Sequence, residues 1–418
     1  MNRRRVVLGA VGLALLAATP LRAATPKPPA PAVWVGSWAS AQQPIEPRDA
    51  GSDVDLTGVT LRQVVRLSVG GDRIRLRLSN AFGTAPLRLF AVHVARALSP
   101  GSPRIDPATD RVVTFAGAGD TTIPAGADYL SDPIDLTGAP LSDLAVSIRY
   151  DTPPAQQTTH AASHATSWTL AGDYVAAPDL PGAKSFVHWL QISGVDVARA
   201  SGAAVVTLGD SITDGSWSTT DGNDRWPDIL AARLQADPRT AHLGVLNVGI
   251  GGNRVLLDGR GPSTLARFDR DVLAQAGARY LVVLEGVNDL GTLTRDGPVS
   301  PEAHADLVTR ITAAYAQIIA RGHQHGLRVY GATILPFGQA KNYHPDAQNE
   351  ADRQAVNAWI RAPGHFDGVI DFDAATRDLA APDQLVPSYD SGDHLHPSPA
   401  GYRAMGQAID LTLFGAKP

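Results

Sequence analysis

The chain contains no cysteine. That absence excludes disulfides, a thiolate zinc site, a cysteine nucleophile and a lipid-modified cysteine as a membrane anchor. An excess of basic charge is also missing: 36 lysines and arginines stand against 41 aspartates and glutamates, a formal net charge of -5. No electrostatic footprint for nucleic acid or an anionic membrane follows from it. There is no His-Glu-x-x-His pattern, and Arg254 stands where a dinucleotide-binding glycine loop needs its third glycine. The apolar run from Val6 to Ala18 is too short to span a bilayer, which takes about 20 residues. Preceded by Arg3-Arg4-Arg5 and followed by small residues around Leu21-Arg22-Ala23-Ala24, it reads as an export signal cleaved after Ala23 or Ala24. Arg3-Arg4 ahead of Val6-Val7 resembles a twin-arginine signal, and an ordinary secretory signal with a basic start fits equally well. A bacterial periplasmic or secreted protein without a membrane anchor is expected.

What is present reads as globular: 418 residues, 44% hydrophobic and 18% charged, suffice for two domains with cores of their own. Residues 1–24 form the expected signal, and a proline-rich linker follows over 25–33. Over 34–198 the pattern is β. Arg73 to Leu78 alternates with period two, as does Leu144 to Tyr150, and Gly70-Gly71 carries a hairpin signal. An antiparallel β-sandwich or jelly roll is expected there. From 199 to 418 apolar strands near 203–208, 243–248, 280–284, 327–334 and 369–372 alternate with helical stretches such as Trp226 to Leu234 and Ala303 to Ile319. This is the pattern of an α/β fold with a doubly wound, flavodoxin-like parallel sheet, whose ligands bind beyond the carboxyl ends of the strands.

Three polar turns fall at those strand ends. Gly209-Asp210-Ser211 follows Leu208, Gly249-Ile250-Gly251-Gly252-Asn253 follows Asn247-Val248, and Glu285-Gly286-Val287-Asn288-Asp289 follows Leu284. Far along the chain, Asp393 and His396 supply a carboxylate and an imidazole three residues apart. Acyl transfer needs a nucleophile, a base with its orienter, and donors aimed at the developing oxyanion. Ser211 offers a hydroxyl and its own N–H, a glycine such as Gly252 a bare backbone N–H, and Asn288 a side-chain amide. His396 can take the serine proton through one ring nitrogen while Asp393 accepts from the other.

Taken in order, Gly209-Asp210-Ser211, Gly249 to Asn253, Gly286 to Asp289 and Asp393-His394-Leu395-His396 resemble the four blocks of SGNH (GDSL-type) hydrolases over roughly residues 200–418. Ile212 departs from the leucine of the family's name, a conservative change. The resemblance implies Ser211 as nucleophile, Asp393 and His396 as orienter and base, and Ser211, Gly252 and Asn288 as oxyanion donors. Gly252 is preferred to Gly251 because it precedes Asn253 in the block. No cofactor and no metal are expected. Arg267 to Leu273, Leu284 to Asp289 and Arg73 to Gly83 further resemble a secreted bacterial subgroup grouped with carbohydrate esterases. The expectation is an exported serine esterase removing acetyl or other short acyl groups from a small-molecule or polysaccharide ester. A general short-chain carboxylesterase, arylesterase or lipase is the alternative, and a non-catalytic carbohydrate-binding protein keeping the fold is the alternative outside enzymes.

Each residue also has a plainer reading. Ser211 is good helix-cap chemistry, Asn288 suits a strand-end turn, and Gly251-Gly252 a tight loop. His394 competes with His396 as base, and Asp393, His394 and His396 could be metal ligands, with His323 and His325 as a second cluster. Asp210 and Glu285 can support the site or simply pair locally. Trp34, Trp38, Trp168 and Trp189 suit a sugar platform or, more simply, packing. His160 and His164 are candidates to border the site from the β region.

Overall fold

A computed structural model describes residues 32–47, 49, 54–153 and 156–415. The expected export signal lies outside the described residues, as does the linker apart from Ala32 and Val33, and Val33 already opens a strand.

In the β region two antiparallel sheets face each other. One orders its strands as Val33–Ala39, Ile192–Arg199, Arg73–Ser79 and Asp128–Leu130. The other runs Lys184–Phe186, Ser167–Ala171, Val59–Arg66, Asp143–Tyr150, Ala91–Arg96 and Arg111–Val112. Period-two alternation sends Leu61, Val65, Leu144, Val146 and Ile148 inward against Ile74, Leu76 and Leu78. The expected hairpin at Gly70-Gly71 does not form. Val59–Arg66 and Arg73–Ser79 belong to different sheets, so the two glycines carry the chain across the sandwich. Close approach explains them: a Cβ on Gly70 would lie 2.6 Å from the Gly138 oxygen, and one on Gly71 2.6 Å from the Ala198 oxygen.

The last sandwich strand leads directly into a five-stranded parallel sheet. Its order is Leu243–Gly249, Ala203–Gly209, Ala278–Leu284, Arg328–Ala332, Gly368–Ile370. Chain order is therefore 2-1-3-4-5, as expected of a doubly wound fold, with the topological switch beside Ala203–Gly209. These strands read as continuous apolar runs because helices cover both faces; all seven residues of Ala203–Gly209 are buried. Helices Trp226–Ala236 and Pro399–Ala408 pack together, as do Pro301–Gln324 and Ala347–Arg361.

The change of architecture near 198 is not a gap in packing. From Ala32 onward the chain is one compact unit with a continuous buried core. Gly36 N–H donates to the Ala276 oxygen at 2.8 Å, and Val245 N–H to Ser68 Oγ at 2.8 Å. Among the described residues no helix is long and apolar enough to cross a membrane.

Candidate active site

Ser211 sits two residues beyond the strand Ala203–Gly209. Asp210 is extended and caps a single helical turn, Ser211–Asp214, by accepting from Ile212 N–H at 2.9 Å; Gly215, at φ 108, ends the turn. The cap therefore belongs to Asp210, and Ser211 takes the first helical position. An N–H there has no intrahelical acceptor, so it is free to serve a ligand.

His396 Nε2 lies 2.8 Å from Ser211 Oγ, and His396 Nδ1 lies 2.6 Å from Asp393 Oδ2. The three-residue spacing explains the second contact. Asp393 Oδ1 accepts the backbone N–H groups of Leu395 and His396 at 3.0 and 2.9 Å, which closes a tight turn and leaves Oδ2 facing the ring. Trp217 Nε1–H donates to the same Oδ2 at 2.8 Å. Burial pushes the Asp393 carboxyl up, but the hydrogen bond and charge of His396 and the two backbone donors outweigh it and hold the group well below the usual carboxylate range. It stays ionised and aligns the ring. His394 is turned elsewhere: its Nδ1 pairs with Asp390 Oδ2 at 2.6 Å. His323 pairs with Asp367 at 2.9 Å.

The two glycines of the second turn differ in what their N–H groups do. Gly251 N–H donates to Asp214 Oδ2 at 2.9 Å. Gly252, at φ 75, turns its backbone into the cleft, and a Cβ there would lie 2.9 Å from Arg260 Cγ. Asn288 Nδ2 donates to the Asn253 carbonyl at 2.7 Å while its Oδ1 accepts from the Tyr343 hydroxyl. A carbonyl only accepts, so these partners fix which end of the amide is the donor, and the second hydrogen of Nδ2 remains for the cleft.

Four buried residues that sequence reasoning left without a firm role hold this arrangement. Arg267 donates to the Gly209 and Val248 carbonyls at 3.0 and 2.6 Å and to Asn253 Oδ1 at 2.9 Å, clamping two strand ends to the glycine loop. In the sequence its segment stands out only by resemblance. Asp214 lies inside the serine-bearing stretch, where an acid in a predicted buried turn was a usable signal. His160 comes from the β region and meets Asp214 Oδ1 at 2.9 Å through Nε2 and the Ala41 oxygen at 2.8 Å through Nδ1. Tyr343 gave no signal at all.

Behind Ser211 lie three buried acids. Burial pushes Asp210 up to about 7 against the Ile212 N–H, and Asp289 up to about 6 against the N–H groups of Val255 and Leu256. Burial and the neighbouring Asp210 push Glu285 well above its ordinary range. The four tryptophans considered for a platform are packing residues or lie away from the cleft. Trp38 and Trp189 meet edge to face at 4.8 Å, Trp168 sits in a small apolar cluster with Val64 and Ile105, and Trp34 lies under Arg75.

The cleft at Ser211 holds about 370 Å³ and is walled from both architectures, with Gln43, Ala161, Ala162 and His188 from the β region. A hydroxyl in contact with an oriented imidazole, facing backbone and amide donors at the switch point of a parallel sheet, defines a carboxylic ester hydrolase of the serine type. Residues 207–404 match the family described as GDSL-like lipase/acylhydrolase. No curated protein matches the chain. Solved structures similar to it include a putative lipolytic protein of the G-D-S-L family from Desulfitobacterium hafniense DCB-2, 20% identical, covering 50% of this chain and 97% of that one, TM-score 0.37. An acetylxylan esterase from Geobacillus stearothermophilus is 21% identical over 52% of this chain and 96% of that one, TM-score 0.38. An alpha/beta hydrolase enzyme from the metagenome of Lake Arreo, Spain, is 23% identical over 51% and 96%, TM-score 0.38.

Proposed function

We propose that this ester hydrolase works through an acyl-enzyme on Ser211 and removes acetyl or other short acyl groups from carbohydrate, outside the cytoplasm. The observation that carries the mechanism is the unbroken chain of contacts from Ser211 Oγ through His396 to Asp393, at 2.8 and 2.6 Å. His396 Nε2 takes the serine proton as Oγ attacks the ester carbonyl, and Asp393 stabilises the imidazolium that forms. The N–H groups of Ser211 and Gly252 and the Asn288 amide receive the oxyanion, each donor being worth about 2.7–4 kcal/mol. Collapse releases the alcohol, which takes the proton from His396; water activated by the same ring then attacks the acyl-enzyme.

The commitment of Gly251 N–H to Asp214 supports Gly252 as the donor. The cleft lining supports a short acyl group and a polar alcohol: Ala161, Ala162 and Leu395 are its only aliphatic side chains among the described residues, beside Gln43, His188, Asn288 and Asn342. A long acyl chain needs an apolar wall that this lining does not offer. Export rests on the basic start and apolar run of residues 1–24, and the N-terminal sequence of protein recovered outside the cytoplasm tests it. Chain-length profiling with aryl esters, run beside acetylated xylan and pectin, tests the substrate. Activity should be highest on acetyl esters; a maximum on long acyl chains with none on acetylated sugars would sink the proposal.

A further inference from the structure

Next to the oxyanion donors lies a second cavity, of about 330 Å³, which shares Gly252, Arg260, Asn288 and Tyr343 with the cleft at Ser211. Its charge is what sets it apart. Arg254, Arg260 and Arg295 line it and, among the described residues, no carboxylate does, in a chain whose formal net charge is -5.

Among the described residues, two of these guanidiniums form no ion pair with an acid. Arg260 Nη1 pairs with Asp49 Oδ1 at 2.5 Å, which offsets its charge. Arg254 Nη2 donates to the Asp258 backbone oxygen at 2.5 Å, and Arg295 stands 5.0 Å over the Tyr343 ring; neither forms an ion pair among the described residues. Two acids close to Arg254 give their oxygens to backbone donors: Asp289 accepts Val255 and Leu256 N–H at 2.8 and 3.1 Å, and Asp258 Oδ1 accepts Ser263 N–H at 2.7 Å. Gly259 lets the arginine lie flat, since a Cβ there would come 2.9 Å from Arg254 Nη2. The arginine that breaks the dinucleotide pattern thus lines the cavity beside the cleft at Ser211.

We infer that this cavity is a subsite for an anionic group carried by the ester substrate, so that the acyl group cut at Ser211 sits on an acidic sugar. The inference rests on the reading of the cleft as the place of ester hydrolysis. A planar guanidinium offers forked N–H donors that match the oxygens of a carboxylate or a phosphate, and partial enclosure limits screening by salt. Because the cavity adjoins Gly252 and Asn288, an anion held there positions the scissile carbonyl toward the oxyanion donors.

Three matched substrates test it: a methyl galactoside, the corresponding galacturonoside and the 6-phosphate, each acetylated at O2 or O3. They differ at C6 as neutral, carboxylate and phosphate. The expected kcat/KM is about tenfold or more higher for one of the charged esters than for the neutral one, with the advantage declining as salt is added. Whichever charged ester is preferred identifies the anion. In R254Q/R295Q the ratio of charged to neutral should fall toward one; a loss of folded protein lowers both rates and leaves the ratio alone. Competition on the wild type is the second measurement: free methyl galacturonoside or galactoside 6-phosphate should inhibit where methyl galactoside does not. Hydrolysis of the neutral ester with a ratio near one, or a ratio unchanged in R254Q/R295Q, overturns the subsite and leaves the reaction standing. No Ser211-dependent hydrolysis of any of the three overturns both.

Discussion

Replacing His160 by leucine should destabilise the protein most between about pH 4 and 6.5. The reason lies in where protons must sit. Nδ1 of His160 faces the Ala41 carbonyl at 2.8 Å and Nε2 faces Asp214 Oδ1 at 2.9 Å, so both nitrogens need hydrogen and the ring is an imidazolium beside a carboxylate. Burial alone would push His160 down, but the charge and hydrogen bond of Asp214 and the Ala41 carbonyl reverse this and raise it. For Asp214 burial pushes up, and the charge and hydrogen bond of His160 reverse that and lower it. At 2.9 Å and an effective dielectric of about 20 the gross attraction is about 6 kcal/mol, much of it offset by desolvating both ions. In His160→Leu the Asp214 carboxylate, 3% exposed, is left with the Gly251 N–H, and breaking such a pair costs about 3–5 kcal/mol. For a unit of this size that is a fall in Tm of about 4–6 °C. The raised His160 contributes stability fully below its unfolded value of about 6.5 and loses it as pH rises through its folded one. The lowered Asp214 contributes above about 3.9 and loses it as pH falls through its folded one. Calorimetric melts of both proteins at pH 5.5 and pH 9 read the difference, which should shrink at pH 9. His160→Leu with Asp214→Asn should recover part of the loss, since no unpaired charge remains. A single variant within about 1 kcal/mol of wild type at pH 5.5, or a deficit indifferent to pH, would refute the paired-ion reasoning.

Asn288→Ala removes the proposed oxyanion donor and should lower kcat by about 10²–10³-fold with little change in KM for a small ester; a change confined to KM would contradict that role. Tyr343→Phe removes the hydroxyl that fixes the Asn288 amide, and steady-state rates should show kcat reduced about 3- to 10-fold. Asp210, pushed up to about 7 by burial, contributes stability below its unfolded value and loses it as pH rises through the folded one. Asp210→Asn keeps an oxygen for the Ile212 N–H, so its advantage over wild type in denaturant midpoints should widen from pH 5.5 to pH 8.5; a constant gap would count against it.

Much of the site was legible because its chemistry is local. A strand-end turn places Ser211, and Asp393 closes its own turn on Leu395 and His396 N–H while reaching the ring, all within four residues. The doubly wound sheet was legible for a similar reason, since strands buried on both faces must be apolar throughout. What failed to show depends on distant partners. Whether Gly251 or Gly252 has an uncommitted N–H turns on the Asp214 side chain, 37 residues away, and Asp214 is held by His160, 54 residues before it. Gly70-Gly71 looked like a hairpin because the strand Arg73–Ser79 takes its partner from Ile192–Arg199, which no local pattern announces. For Trp34, Trp38, Trp168 and Trp189 a platform stays open beside the favoured packing, because composition does not tell a packed ring from a presented one.

The central claim is that Ser211, activated by His396, forms the covalent intermediate. Labelling with a fluorophosphonate probe tests it most directly. Folded wild type should react stoichiometrically at one site, with the modification mapped to Ser211 by mass spectrometry, and Ser211→Ala should not react. An active wild type that remains unlabelled, or equal labelling of both proteins, would contradict it.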